Sequence, residues 1–382
     1  MVHHIHKIWT CILLITTVGS CNQQDSHQQL PSHLKRENFR TIVRGDATDL
    51  FIIRNANGME VGITNYGGRI VSLLVPDKNG ELQDVVLGFD RIDDYMAQPS
   101  SFGATMGRVT NRIGFGQFVL DGDTIRLTKN NGQHTIHGGI EGWRQQVFDA
   151  DQLNDSTLVL SYLSPDGEAG FPGNVNATVR YTLTAKNALE INYTAKTDKK
   201  TVVNFTNHSF FNLSGDPQNS ILDDILYINA DGFTPIDTSL ITTGEILPVA
   251  SSPFDFNKPI SIRDAFARDS THQQLQLVNG LDHNWVLNTG SNSKVLAAKL
   301  YSPLSGIVLE VYTNEPGIQV YTGNMLDGSQ KGKGGHVLQK QSAVCLETQH
   351  FPDAPNKSHW PSIELNPADT YHSICIYQFS TQ

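Results

Sequence analysis

The side chains able to do acid–base or polar chemistry in this chain gather in short runs. They are Asn111-Arg112, His134-Thr135-Ile136-His137-Gly138-Gly139, Asn207-His208-Ser209, Asp282-His283-Asn284, Gln319 and Glu347-Thr348-Gln349-His350. Each lies in or beside an apolar stretch. Glu347 is the sharpest case, an acid ending the run Val344-Cys345-Leu346. A carboxylate carried into an apolar interior is costly unless it is paired or used. His208 sits between Val202-Val203-Asn204-Phe205 and Phe210-Phe211, and an imidazole can gain or lose a proton near neutral pH. A carboxylate and an imidazole are the parts of general acid–base catalysis. Taken singly, each residue also has a plainer reading. Glu347 could be a strand-end acid facing solvent, His208 a satisfied core histidine, and Arg112 a hairpin surface residue. Gly138-Gly139 could be a turn, Asp282 a turn cap and Gln319 an outward strand position.

Other chemistries find no support. His134 and His137 are three apart, which the period of a strand places on opposite faces, and the glycines that follow forbid a helix. There is no His-Glu-x-x-His, no paired Cys-x-x-Cys and no His-x-His, so no metal centre is expected. No Gly-x-x-x-x-Gly-Lys-Ser/Thr or Gly-x-Gly-x-x-Gly opens a helix, so no nucleotide cofactor is expected either. No Gly-x-Ser-x-Gly elbow marks a hydrolase of that type. Lys and Arg number 28 against 38 Asp and Glu, a net charge of −10. That balance argues against nucleic acid, an anionic lipid surface or a phosphate-heavy substrate as partner. Nothing in the sequence points to a protein partner.

The elements that must position these residues read as strands. Asn57-Gly58 separates Phe51-Ile52-Ile53 from Val61-Gly62-Ile63, and Asp121-Gly122 separates Gln117–Leu120 from Thr124–Leu127. Such pairs between apolar runs signal hairpins, because both central turn residues need positive φ. Clean alternation runs through Val175, Ala177, Val179, Tyr181 and Leu183, again through Leu189, Ile191, Tyr193 and Ala195, and returns near Ile374 and Ile376. Glycine and proline fill about one position in eight, and helical signals are few; a short turn is expected at Ile262 to Phe266. No composition break divides residues 45–382. The expected fold is all-β, one large antiparallel β-sandwich with its ligand on a concave sheet face.

Residues 1–20 read as a signal peptide. A weakly cationic start precedes a mostly apolar run from Ile8 to Val18, too short to span a bilayer. Val18-Gly19-Ser20-Cys21 looks like a bacterial lipobox, which makes Cys21 the expected lipid anchor, with an ordinary secretory cleavage site as the alternative. Residues 21–44 then form a flexible tether to the catalytic domain, residues 45–382. The expected location is that of an exported bacterial protein, in the periplasm or cell envelope, touching the membrane only through that anchor. Cys345 and Cys375 are the two cysteines of the folded part, too few for a disulfide framework.

Taken together, the runs resemble the galactose mutarotase (aldose 1-epimerase) family. Asn65-Tyr66-Gly67-Gly68-Arg69-Ile70, Gly107-Arg108-Val109-Thr110-Asn111-Arg112-Ile113, His137-Gly138-Gly139 and Asn207-His208-Ser209-Phe210-Phe211-Asn212-Leu213 come in the family's order. Thr234-Pro235-Ile236-Asp237, Pro253-Phe254-Asp255-Phe256, Asp282-His283, Pro316-Gly317-Ile318-Gln319-Val320-Tyr321-Thr322-Gly323-Asn324 and Leu346-Glu347-Thr348-Gln349 follow. The resemblance implies a β-supersandwich and interconversion of the α and β anomers of free aldohexoses such as D-galactose and D-glucose, with no cofactor and no metal. It carries Glu347 over as general base and His208 as general acid. Arg112, His137, Asp282, Gln319 and Asn111 become the sugar-binding residues. Gly142-Trp143-Arg144-Gln145 and Trp285 depart from the family's usual residues, which places the variation at the rim of the pocket, where Trp143 is a candidate to stack on the sugar.

Opening a hemiacetal means removing the proton of the anomeric hydroxyl while protonating the ring oxygen, so the base and the acid are expected on opposite sides of the sugar. A bell-shaped pH profile should follow, its acid limb from Glu347 and its basic limb from His208. Two other readings compete. A glycoside hydrolase or lyase would use Asp282 and Glu347 as a carboxylate pair. A non-catalytic sugar-binding lipoprotein would need neither the base nor the acid.

Overall fold

The computed structural model describes Met1 and residues 32–97 and 100–382. The apolar run, Cys11 and the expected anchor Cys21 lie outside the described residues. The strands form a nine-stranded sheet, a six-stranded sheet, a four-stranded sheet and several two-stranded ribbons, and neighbouring strands pair antiparallel. The all-β sandwich is the observed fold.

The alternation seen in the sequence is what builds the large sheet. Val175–Leu183 and Ala188–Thr197 pair in register from Val175↔Thr197 to Leu183↔Leu189. Every second residue, including Val179, Tyr181, Ile191 and Tyr193, is buried in the main core. Tyr371–Thr381 lies next to Ala188–Thr197 on one side and Ile307–Thr313 on the other. The same core takes Val344, Leu346, Ile318, Val320 and Trp285 from the six-stranded sheet, and Ile63, Ile70 and Leu73 from the four-stranded one. The hydroxyl of Tyr377 donates to the carbonyl of Leu346 at 2.8 Å, tying the layers together.

Both turn signals are realised. Leu120 pairs with Asp123 across Asp121 (φ 52°) and Gly122 (φ 89°), a two-residue turn with both centres left-handed. Asn57-Gly58 lies in a longer loop between Leu50–Arg54 and Glu60–Thr64. The turn expected near Ile262 is a full helix, Ile262–Arg268, capped where the Ser261 hydroxyl accepts from the Asp264 amide. No described helix is long and apolar enough to cross a membrane.

The stretch read as a tether corrects one expectation. Its second half is docked on the domain: Leu34 and Phe39 are buried in a second core cluster with Tyr66, Tyr95, Phe102 and Phe210. Arg36 forks onto Asp49 at 2.8 and 2.7 Å, and the Thr48 hydroxyl donates to the Phe39 carbonyl. Two apolar residues in a polar stretch suffice, since burying a leucine or phenylalanine side chain contributes about 1.5–3 kcal/mol. The packed unit therefore includes Leu34 and Phe39, ahead of residue 45.

Candidate active site

One face of the six-stranded sheet packs into the core and the other carries the polar residues. On Val344–Gln349, Gly317–Tyr321 and Asp282–Val286, residues alternate between the two, and the register sets Gln319 opposite both Glu347 and Asn284. His208 arrives from the side. It ends Thr206–His208, which pairs with Ala104–Met106, and Phe210–Phe211 then joins Val344–Gln349. Asn207 holds this change of partner: its amide nitrogen donates to the Gly103 carbonyl, and its amide oxygen accepts from both the amide and the hydroxyl of Ser209.

Arg112 comes on a two-stranded ribbon, opposite Ile136. Asn111 and His137 both have positive φ (58° and 52°), and the Asn111 amide donates to His137 Nδ1 at 3.2 Å. Gly138 follows at φ 82°, where a Cβ would lie 2.0 Å from the Gly107 carbonyl oxygen, so the His137 loop requires glycine there.

These elements line a cavity of about 430 Å³ walled by Asn111, Arg112, His137, His208, Asp282 and Glu347, with Arg144, Phe102, Phe210 and Tyr321 at its sides. Glu347 Oε1 lies 3.5 Å from His208 Nε2, and both residues are nearly buried. The His208 ring stacks on Phe210 (5.1 Å, 16°) and meets the His137 ring edge-on at 5.1 Å. Arg112 reaches Asp282 at 3.5 Å, and Gln319 Nε2 donates to the other Asp282 oxygen at 2.7 Å. Six of the seven residues singled out in the sequence as acid, base or sugar ligand line the cavity; Gln319 stands behind Asp282.

The electrostatics alter one expectation. Burial pushes the Glu347 carboxyl well above the usual carboxylate range, and the Asp282 charge pushes the same way, opposed by Arg112. Burial pulls His208 down to about 4, with Asp282 the chief opposing influence. His137 is also pulled well down, by burial and then by His208. Both shifts favour the uncharged forms, a protonated Glu347 carboxyl beside a neutral His208 imidazole, against the carboxylate and imidazolium that the acid–base roles call for.

Two further expectations are corrected. The pair sits side by side at 3.5 Å, too close for a sugar ring to pass between. This suits the chemistry, because the anomeric hydroxyl and the ring oxygen are attached to the same carbon and can face one edge. Neither tryptophan is at the rim. Trp143 is fully buried against Phe205, Phe148 and Tyr162, and a Cβ on Gly107 would meet its ring at 2.4 Å. Trp285 is also fully buried, its indole N–H donating to the Phe254 carbonyl. The aromatic walls are Phe102, Phe210 and Tyr321 instead. Tyr321 was findable, being two residues from Gln319 on a strand. Arg144 was not, since its place depends on fully buried Arg69, which donates to the carbonyls of Ser100, Phe102 and Arg144.

Comparison with known proteins shows the family of the chain. The family model described as aldose 1-epimerase matches residues 49–378. Galactose mutarotase of Bos taurus is 43% identical over 84% of this chain and 91% of its own length. Aldose 1-epimerase of Escherichia coli K12 is 34% identical over 88% and 96%. The solved structure of an aldose epimerase homologue from C. elegans superposes with a TM-score of 0.82 at 31% identity, covering 88% of this chain and 99% of that one.

Proposed function

The chain belongs to the aldose 1-epimerase family, and on that premise we propose how its residues divide the work of interconverting the α and β anomers of an aldohexose. Glu347 is the general base for the anomeric hydroxyl and His208 the general acid for the ring oxygen. Arg112, His137, Asn111 and Asp282 hold the sugar hydroxyls, and Gln319 orients Asp282. The observation that carries the assignment is the 3.5 Å contact between two buried groups that both line the cavity.

Burial favours a protonated Glu347 beside a neutral His208 in the resting pair. A bound sugar arms it: the anomeric hydroxyl donates to the carboxylate and favours its ionised form, while the ring oxygen accepts from the imidazolium and favours that form. The anomeric proton then passes to Glu347 as His208 protonates the ring oxygen, and the C1–O5 bond opens. The free aldehyde rotates and closes on its other face with the roles exchanged. Each proton transfer contributes about 10²–10⁴-fold. Polarimetry of purified protein on fresh α-D-glucose and α-D-galactose tests the reading, and a rate no faster than buffer alone would overturn it. The geometry disfavours a carboxylate-pair glycosidase, because both Asp282 oxygens are engaged by Arg112 and Gln319. Release of reducing ends from an oligosaccharide is the opposite outcome.

The same proposal extends to location. The apolar run Ile8–Val18 and the sequence Val18-Gly19-Ser20-Cys21 support export and lipid attachment at Cys21. Stable anchoring takes two lipid signals or more, whereas an unlipidated acidic chain should stay in solution. Cys21→Ala should move the protein from the membrane fraction to the soluble one; an unchanged distribution refutes the anchor.

A further inference from the structure

Beside the cavity, three kinds of metal-binding atom come together. Cys345 is two residues before Glu347 on one strand, so both side chains leave the same face, and the register sets Cys345 opposite Phe210, beside His208. One ligand atom from each of His208, Cys345 and Glu347 lies within 4.8 Å of the other two, and all three residues are buried. Cys345 is a free thiol. Two donor atoms of the trio, His208 Nδ1 and Glu347 Oε2, are buried without a hydrogen-bond partner among the described residues. A buried polar atom left so costs about 1–3 kcal/mol.

We propose that His208, Cys345 and Glu347 form a binding site for a thiophilic divalent cation of the Zn²⁺ class, whose occupancy excludes the sugar and stops turnover. The donor set selects the ion. One thiolate, one imidazole and one carboxylate suit Zn²⁺, whereas Mg²⁺ and Ca²⁺ take oxygen ligands. Bond lengths of about 2.0–2.3 Å put neighbouring ligand atoms of a tetrahedron about 3.3–3.7 Å apart. A spread of 4.8 Å therefore closes with about 1 Å of side-chain movement. Three protein ligands leave the fourth position open toward the cavity that His208 and Glu347 line, which is also the route of entry. Charge balances as well: the thiol and Glu347 release their protons to the buffer, and thiolate, carboxylate and neutral imidazole together neutralise the dication. Binding rests on the three ligands alone, while the loss of turnover also rests on the acid–base assignment above.

The test uses the full chain after treatment with a chelator and dialysis. Co²⁺ should give a thiolate-to-cobalt charge-transfer band, Zn²⁺ should displace it, and Zn²⁺ but not Mg²⁺ should inhibit mutarotation in competition with sugar. Cys345→Ala leaves Cys11, Cys21, Cys375 and the N-terminal histidines in place. It should keep its basal turnover, lose the band and raise the Zn²⁺ concentration for half-inhibition by about tenfold or more. A wild-type protein without the band, or equal Zn²⁺ inhibition of Cys345→Ala, overturns the site. Cys345→Ser serves if the alanine variant does not fold, and must weaken the band likewise. Binding without inhibition would keep the site and refute its overlap with the sugar.

Discussion

Replacing Asp282 by Asn removes one negative charge from beside the Glu347–His208 pair while keeping an acceptor for Gln319 Nε2. In the native protein that charge raises the pKa of both members, against burial at His208 and together with burial at Glu347. Without it Glu347 ionises more readily and His208 is harder to protonate, so both pKa values fall. The strands of Asp282 and Glu347 flank Gly317–Tyr321, which sets their backbones two strand spacings, about 10 Å, apart. Unit charges at that distance, in an effective dielectric of about 20, interact by about 2 kcal/mol, equivalent to about 1–2 pKa units. Both limbs of the profile should therefore move to lower pH by about 1–2 units. The assay is polarimetric kcat/KM against pH, corrected for the spontaneous rate in each buffer, because kcat/KM reports the free enzyme. A fall in absolute kcat/KM from weaker sugar binding does not disturb the test, which reads only where the limbs lie. Limbs that stay put, move apart or shift to higher pH would refute this coupling of Asp282 to the pair.

Glu347→Gln and His208→Asn should each lower turnover by about 10²-fold or more with folding intact, and the double variant should lose far less than the product of the two; near-normal turnover in either folded single variant removes that residue from its role. Arg112→Ala should raise KM as well as lower kcat, since it both meets the sugar and braces Asp282; an unchanged KM by polarimetry speaks against a binding role. Asp224, buried before Ile225–Ile228, has its carboxyl pushed up to about 7 by burial. An acid whose pKa is higher folded than unfolded binds its proton more tightly when folded, so this contribution is full below about pH 4 and is lost as pH rises through about 7. Denaturant titrations should therefore show Asp224→Asn gaining about 2–4 kcal/mol over the native chain at pH 8 and little at pH 4; an equal difference at both values would rule this out.

Much of this architecture is legible in the chain, and the parts that are not share a cause. Alternation and the Asp121-Gly122 turn are local signals, and they mark Val175–Leu183, Ala188–Thr197 and the Gln117–Arg126 hairpin correctly. Leu34 and Phe39 are diluted by polar neighbours, so local composition reads their stretch as loose although two contacts dock it. Trp143 looks like a sugar platform because aromatic type is visible and direction is not; the approach of Gly107 turns it into the core. The clusters identify Glu347 and His208 as candidates, but their adjacency depends on strands 139 positions apart, and the shift of both toward their neutral forms depends on burial that only the assembled layers create.

The strand at the chain's end, Tyr371–Thr381, occupies the middle of the largest sheet. Ahead of it the sheet exists as two separate blocks, Asp149–Thr197 and Ile225–Thr313, and this strand is the piece that hydrogen-bonds to both. Until this strand docks, the sheet cannot close. The two blocks present unpaired edges to each other and the layer behind the cavity lacks its centre. Closure through contacts so distant in sequence is slow, so this strand docks late in folding. Docking of Tyr371–Thr381 is thus the step that joins the two blocks and completes the wall behind the cavity.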